Sequence, residues 1–451
     1  MKHRSEATIY ALASGAGRAG VAVVRISGDA SCDLIRPLTG TDVPKPRQAV
    51  LRRFIDPRTA DLIDEGLLIW FPGPMSFTGE DVVELQVHGG AAVLSALFSC
   101  LGAMPDMRSA EPGEFTRRAF LNGKLDLTQA EALADLVDAE TSQQARQARQ
   151  QMDGALGRLY RAWHERLVRA LAYLEAEIDF APEEEVPDGL MTAIGPDLRE
   201  LLREIEGHLG DDHRGERLRS GLQVALVGPP NAGKSSLINL LSKRDVAIVT
   251  DIPGTTRDIL DVPLDLGGYP LTVVDMAGLR QTDDPIEVIG VKRARARARN
   301  ADVLLALFDG ATWPHVDQET LALIDQRALV LLNKVDLLEA GDPSVTIDGH
   351  EALHISCHTG EGIEQLIARL AALAGECMAI GDEPVLTRAR HRDALVDVAT
   401  SLARLNSNDL PELALVAEDL RQALNAMGRL TGKVSIEDLL DRIFGDFCIG
   451  K

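Results

Sequence analysis

Gly228-Pro-Pro-Asn231-Ala232-Gly233-Lys234-Ser235 fits the pattern G-x-x-x-x-G-K-S/T. It lies between an apolar run, LQVALVG, and a helix-like run, SSLINLLS, where a phosphate-wrapping loop belongs. The glycines let the backbone fold around an anion, and the N–H groups through Ser236 can point at phosphate oxygens. Lys234 supplies a point charge to the β and γ oxygens, and the Ser235 hydroxyl can ligate Mg²⁺. Asp275-Met-Ala-Gly278 follows the run LTVV and has the D-x-x-G form, in which the Asp holds Mg²⁺ through water and the Gly N–H meets the γ-phosphate. Asn333-Lys334-Val-Asp336 follows ALVLL. The Asp336 carboxylate can accept two hydrogen bonds from the guanine N1–H and exocyclic amine, a pattern adenine does not offer. Ser356-Cys-His-Thr-Gly resembles the last guanine-contacting loop, and Gly254-Thr-Thr-Arg-Asp258 lies where a switch loop belongs, with Thr256 the candidate Mg²⁺ ligand. A lone match to the first pattern could be a glycine turn before a structural helix. Ordered motifs on one sheet instead predict a domain that binds and hydrolyses GTP.

One part of such a site is missing. Ras-type enzymes place a water-orienting glutamine just after D-x-x-G, and this chain has Leu279 there. The arginines of KRARARARN (292–300) recur every two residues, so on a helix they spread around the axis rather than form one face. That run reads as solvated charge. Stabilisation of the transferring phosphoryl group must come from elsewhere, such as a metal ion or a carboxylate after Leu279.

The elements that must position these residues follow from composition and pattern. The chain has 451 residues, with 47 Lys plus Arg against 69 Asp plus Glu, a formal charge of −22 that excludes a generic basic nucleic-acid binder. Aromatics are only 4%, so cores must be built from Leu, Val, Ile and Ala, which suits helices and a parallel sheet. Short β-like runs (21–27, 67–71 and 82–87) alternate with turns and one helical segment, predicting an α/β domain over 1–119. Residues 120–216 are rich in Ala, Leu, Gln and Glu and predict helices. Strand and helix alternation over 217–378 predicts a doubly wound G domain, and helical sequence returns over 379–451. An α/β domain is therefore inserted between two helical stretches. Five scattered cysteines without a C-x-x-C pair disfavour a disulfide framework or structural zinc, and no run approaches a membrane span, so a cytoplasmic protein is expected. Isolated histidines such as His88, His354 and His391 read as packing, turn or solvent residues.

The P-loop with Asn231, the GTTRD loop and DMAGLR resemble the Era/TrmE-related GTPases. SFTGEDVVELQVHGG (76–90), EPGEFTRRAFLNGKLDLTQAEALADLVDAET (111–141) and the terminal FCIGK (447–451) are similar to the MnmE (TrmE) family of tRNA-modification GTPases, over essentially the whole length. The resemblance implies an α/β plus all-α protein: an N-terminal α/β domain that binds folate and makes a homodimer, a helical domain, and an inserted Ras-like G domain. It implies a K⁺-activated GTP hydrolase that works with the flavoprotein MnmG, in a heterotetramer where FAD enters only through the partner. Together they add an aminomethyl or carboxymethylaminomethyl group to C5 of the wobble uridine of certain tRNAs, with 5-formyl- or methylene-tetrahydrofolate as the one-carbon source.

Several residues acquire roles by the same resemblance. Arg25, Glu84, Lys124 and Lys451 are matched to folate: the cations suit its glutamyl carboxylates, and a carboxylate suits the pterin's amino group and ring N–H. Asn231, Thr250, Ile252 and Thr255 are matched to K⁺, which would supply charge where an arginine finger otherwise would. Glu287 is matched to the glutamate that orients the water, with Pro285 just ahead of it as a departure that can stiffen the segment. Cys448 is matched to the family's terminal cysteine, with a role in modification. Two other readings compete: a regulatory GTPase switch in ribosome assembly or signalling, without substrate chemistry, and a folate-dependent transferase whose G domain only regulates. An Era-like switch would carry an RNA-binding domain or basic tail after the G domain, whereas here acidic helical sequence ends in FCIGK.

Overall fold

The computed structural model describes residues 7–180, 190–244, 246–248, 261–276, 299–338, 345–381, 383–405, 413–432, 437–445, 447–448 and 450. Two compact units make up the chain, one from residues 1–134, 152–172 and 421–451, the other from 135–151 and 173–420. The α/β plus all-α class expected from sequence is the one found.

The N-terminal strands are β1 (Thr8–Leu12), β2 (Ala19–Ser27), β3 (Val50–Ile55), β4 (Leu62–Phe71), β5 (Val82–Gly89) and β6 (Met107–Ser109), with helices α1 (Ile35–Thr39), α2 (Ala91–Gly102) and α3 (Glu114–Leu121). They form one sheet in the order β3-β4-β5-β2-β1-β6, antiparallel except for the β1/β6 pair. Period-two alternation divides its faces. Ala22, Val24 and Ile26 of β2 join Val83 and Leu85 of β5 in packing on Leu34, Ile35, Leu38, Leu97 and Leu101. The opposite face carries Ile9 and Ala11 against Phe115 of α3. Arg25, one residue from Val24 and Ile26, therefore belongs to this second face.

Helices follow: α4 (Leu127–Asp138), α5 (Ser142–Met152), α6 (Ala155–Phe180), α7 (Leu190–Leu209) and α8 (Arg214–Ser220). The start of α5 is fixed by Thr141 and Gln144: the Gln144 N–H donates to Thr141 Oγ1, and Gln144 Oε1 accepts from the Thr141 N–H, a reciprocal cap. On α6, Leu156, Tyr160, Trp163, Leu167 and Leu174 recur at helical spacing and are buried.

The inserted domain contains β7 (Leu222–Val227), α9 (Lys234–Ser242), β8 (Asp261–Leu266), β9 (Tyr269–Asp275), β10 (Val303–Asp309), α10 (Gln318–Leu321), β11 (Ala328–Asn333), β12 (Thr346–Ile347), β13 (His350–Glu351), β14 (Leu353–His354) and α11 (Ile363–Met378). Its main sheet runs β14-β11-β10-β7-β9-β8, parallel except for edge strand β8. Both faces are covered, as parallel sheets require. Leu222, Val224 and Leu226 pack with Leu237, Ile238 and Leu241 of α9 and Leu366 and Leu370 of α11, while Ala225 and Val227 face a second core with Leu304, Ala306 and Phe308.

The chain continues with α12 (Ala389–Arg404), α13 (Leu413–Thr431) and α14 (Glu437–Gly445). Helix α12 packs on α7. Leu440, Ile443, Phe444 and Phe447 form a cluster with Leu127 and Ala130. Gly113 has φ +67°, and a Cβ there would stand 2.5 Å from the Phe444 carbonyl oxygen, so this approach requires glycine. None of the helices among the described residues is long and apolar enough to cross a membrane.

Candidate functional site

The parallel register brings the sequence motifs to one edge. Leu226 pairs with Asp275, and Asp309 with Asn333, so the C-terminal ends of β7, β9, β10 and β11 lie side by side where ligands bind in open α/β sheets. The P-loop leaves β7 through Gly228 and enters α9 through Gly233, at φ +156° and +104°. Asn231 is also left-handed, at φ +65°, and its side chain is exposed, as are Ser235 and Ser236, while Ala232 is fully buried. Lys234 Nζ donates to the carbonyls of Gly228 at 2.7 Å and Pro229 at 3.0 Å. Burial lowers the Lys234 pKa from its ordinary value, against the opposing pull of Asp275 and Asp317. Asp275 is 8% exposed at the end of β9. A hydroxyl, a carboxylate and backbone N–H groups suit a hard divalent cation on a phosphate, so the donor set here fits Mg²⁺.

Asn333 is 1% exposed and works in both directions. Its Nδ2 donates to the Ala232 carbonyl at 2.7 Å, and its Oδ1 accepts from the Cys357 N–H at 3.1 Å. A Cβ at Gly233 would collide with that amide, so the P-loop glycine is also a packing requirement. Asp336 Oδ1 accepts from Ser356 Oγ at 2.6 Å, and the same Oγ accepts from the Thr359 N–H at 3.1 Å, which fixes the Asp336 carboxylate against the last loop. Lys334, left-handed at φ +63°, reaches Asp309 Oδ2 at 2.6 Å. Burial pushes the Cys357 thiol up to about 11, with Asn333 opposing and Asp336 adding to the rise, so it stays protonated. Asp309 was not legible as a motif, because its relation to Lys334 depends on the β10/β11 pairing.

Lys234, Asp275, Asn333, Lys334 and Asp336 thus lie at one edge of the sheet. Thr250, Ile252, Thr255, Thr256, Gly278 and Glu287 lie outside the described residues, as do Leu279 and most of the 292–300 run. For K⁺, Asn231 is the one matched residue described, and its exposed side-chain amide carries an oxygen of the kind such an ion needs.

A second polar group lies on the N-terminal sheet. Arg25 and Glu84 are register partners on β2 and β5; Arg25 Nε donates to Glu84 Oε1 at 3.0 Å, with the side chains 23% and 18% exposed. The guanidinium also sits 5.4 Å from the Phe77 ring centroid and 5.9 Å from that of Phe115. Lys124 Nζ donates to the Pro74 carbonyl at 2.9 Å, on the loop that carries Phe77. A carboxylate, two cations and the partly exposed Phe77 ring suit a flat heteroaromatic ligand with acidic substituents, so the residues fit a folate. Lys451 lies outside the described residues; Cys448 is exposed, and Gly450 packs against the Leu12 carbonyl at the end of β1.

Sequence reasoning missed the support beneath this face. Arg118, 2% exposed, donates to Glu80 at 3.0 Å, to Glu114 at 2.9 Å and to the Ala7 carbonyl at 2.8 Å. Burial alone would raise the Glu114 pKa, but hydrogen bonds from Arg108, the Glu111 N–H and Arg118 outweigh it and lower it. The i,i+4 spacing of Glu114 and Arg118 was the available signal.

Residues 8–124 match the family described as the GTP-binding protein TrmE N-terminus, and residues 127–448 match the MnmE helical domain. The tRNA modification GTPase MnmE of Parvibaculum lavamentivorans is 54% identical over 98% of this chain and 100% of its own. This chain belongs to the MnmE family. A human relative, the mitochondrial 5-taurinomethyluridine tRNA synthase subunit GTPB3, is 47% identical over 99% of this chain and 94% of its own. Among solved structures, the G domain of the T. maritima FeoB iron transporter is 23% identical, covering 34% of this chain and 98% of its own at a TM-score of 0.26. The MnmE resemblance drawn from the VELQVHGG, EFTRRAFLNGK and FCIGK segments is therefore the correct family.

Proposed function

We propose that this chain is a K⁺-activated, Mg²⁺-dependent GTP hydrolase that, with a flavoprotein of the MnmG type, adds an aminomethyl or carboxymethylaminomethyl group to C5 of the wobble uridine of certain tRNAs. The observation that carries the reading is the single buried Asn333 amide, which joins the phosphate loop to the guanine loop in a member of the MnmE family. In this reading Lys234 and the P-loop N–H groups hold the β and γ phosphates, and Ser235 and Thr256 hold Mg²⁺. Asp336, braced by Ser356, selects guanine. Asn231, Thr250, Ile252 and Thr255 hold K⁺, which supplies positive charge beside the phosphates, and Glu287 orients the attacking water.

The N-terminal domain binds a tetrahydrofolate, 5-formyl or methylene, through Arg25, Glu84, Lys124 and Lys451, in a homodimer that joins the flavoprotein as a heterotetramer; FAD belongs to that partner. Cys448 takes part in the modification chemistry. The five free cysteines support a reducing compartment, and we place the reaction in the cytoplasm.

The test compares GTP turnover in K⁺ and Na⁺ at equal ionic strength, together with mass spectrometry of wobble uridines in tRNA from cells with and without the gene. Faster turnover in K⁺ and loss of the modified uridine without the gene are the expected results. Asn231→Ala should abolish the K⁺ response while nucleotide still binds, and Asp336→Asn should shift preference toward xanthosine nucleotides. Equal rates in the two ions reject the K⁺ role, and unchanged uridines reject the modification role.

A further inference from the structure

Helix α5 carries an unusual seam. Gln144, Gln147 and Gln151 stand at i, i+3 and i+7, hence on one face, and each binds a segment flanking the inserted domain. Gln144 Nε2 donates to the Arg219 carbonyl at 3.1 Å and Gln147 Nε2 to the Gly215 carbonyl at 3.0 Å, both on α8, which leads into β7. Gln151 Oε1 accepts from Thr387 Oγ1 at 3.0 Å, on the connector that leads out to α12. Asp135 of α4 pins the same two connectors with one oxygen: Oδ1 accepts from Arg219 Nε at 2.8 Å and from Arg388 at 2.7 Å. The first residues of α5 touch the sheet itself, because the Gln143 N–H donates at 3.2 Å to the carbonyl of Gly268, the last residue before β9.

These contacts lie at the far end of the two strands that serve the phosphate site. Strand β7 starts at Leu222, three residues after Arg219, and ends at the P-loop; β9 starts just after Gly268 and ends at Asp275. The strands are neighbours in parallel register, six and seven residues long. At about 3.3 Å per residue each is a rod of roughly 20 Å. A shift of Gly228 or Asp275 along its strand would be delivered to Arg219 and Gly268, the positions that α5 contacts. The seam is made of directional hydrogen bonds, three of them to backbone carbonyls, which report position more sharply than apolar contact does.

We propose that α5 is the coupling element between the phosphate site and the helical elements, with Asp135, Gln144, Gln147 and Gln151 as positioning residues for the modification step. The proposal rests on the functional reading above. The test measures hydrogen–deuterium exchange in the full chain, with GDP and with GDP plus aluminium fluoride, for wild type, Asp135→Asn and Gln144→Ala. In the wild type, segments 142–152 and 214–220 should exchange differently in the two states. In both variants that difference should shrink at least about fivefold while the P-loop segment 228–236 keeps its own response. With the partner, folate and tRNA added, modification per GTP hydrolysed should fall about tenfold, with GTP turnover within about twofold of wild type.

An α5 exchange pattern indifferent to nucleotide in the wild type overturns the proposal. So does loss of the P-loop response together with that of α5, or modification falling only in proportion to hydrolysis, since each marks a structural role. A wild type that hydrolyses GTP but modifies no tRNA removes the functional reading, and the exchange result then decides the coupling alone. A P-loop that does not respond to nucleotide overturns both.

Discussion

Asn333 and Ala232 are 101 residues apart, and the side-chain amide of the first donates to the carbonyl of the second at 2.7 Å inside a buried environment. The loop after β7 and the loop after β11 are thereby tied to each other directly. Asn333→Ala would leave the Ala232 carbonyl and the Cys357 N–H without this partner, at a cost of about 1–3 kcal/mol. We expect a lower melting temperature for the G domain and at least tenfold weaker GTP binding, measured by calorimetry. Ser356→Ala frees the Asp336 carboxylate and the Thr359 N–H but leaves the Asn333 bridge intact, so it should weaken GTP binding with a smaller loss of stability than Asn333→Ala. Equal losses from both variants would contradict this division of labour.

Glu84 is held by Arg25, and that pair offers a separable test of the N-terminal site. Glu84→Gln keeps the volume and removes the charge, so a ligand recognised through its amino and ring N–H groups should lose about tenfold in affinity. Glutamine keeps an oxygen that can accept from Arg25 Nε, so the loss of thermal stability should stay within about 1–3 kcal/mol although the pair is mostly buried. Titration of a tetrahydrofolate into wild type and variant checks the prediction, and unchanged affinity would remove Glu84 from the site.

Cys448 is exposed next to the buried Phe447, so its thiol is presented while its neighbour anchors the tail. Cys448→Ser preserves size and hydrogen bonding but not sulfur nucleophilicity. Modification in the reconstituted system should be lost, and K⁺-stimulated GTP hydrolysis should persist. Full modification by the serine variant would mean that the tail acts through another residue.

His208, in the last turn of α7, has its pKa lowered to about 4, first by burial and further by His391 and Arg392, with Asp211 opposing. The folded state keeps this imidazole neutral while the unfolded chain protonates it below about 6.5, so between roughly 4 and 6.5 the unfolded state binds the extra proton. Stability conferred by α7 should therefore fall as pH drops through that window and stay flat above pH 7. Allowing for its partial exposure, the loss is about 2 kcal/mol. Hydrogen exchange of residues 195–209, corrected for intrinsic rates, should show this decline in wild type but not in His208→Gln.

The G domain was legible because its G-x-x-x-x-G-K-S, D-x-x-G and N-K-x-D motifs each follow a continuous apolar run, so that sequence order and parallel pairing give the same edge. Arg25 and Glu84 could be named only through resemblance, since their pairing depends on the β2/β5 register. Asp309 stayed hidden for the same reason, since its partner is set by strand pairing; Arg118 carries an i,i+4 relation to Glu114, but its contacts with Glu80 and the Ala7 carbonyl depend on packing of α3, which no local pattern encodes. The Gln-rich run of α5 reads locally as helix composition, yet its amides matter through which groups face them, a property of tertiary structure.

Gly450 lies against the Leu12 carbonyl, and Gly113 against that of Phe444, so the N-terminal unit is closed by residues made more than 300 positions later. During synthesis the first sheet must wait, with the surface around Leu12, Phe120 and Leu127 uncovered, until residues 440–450 have left the ribosome. Nascent chains halted before that point would leave this apolar surface open to chaperones and proteases, although every GTP-binding motif had already been synthesised.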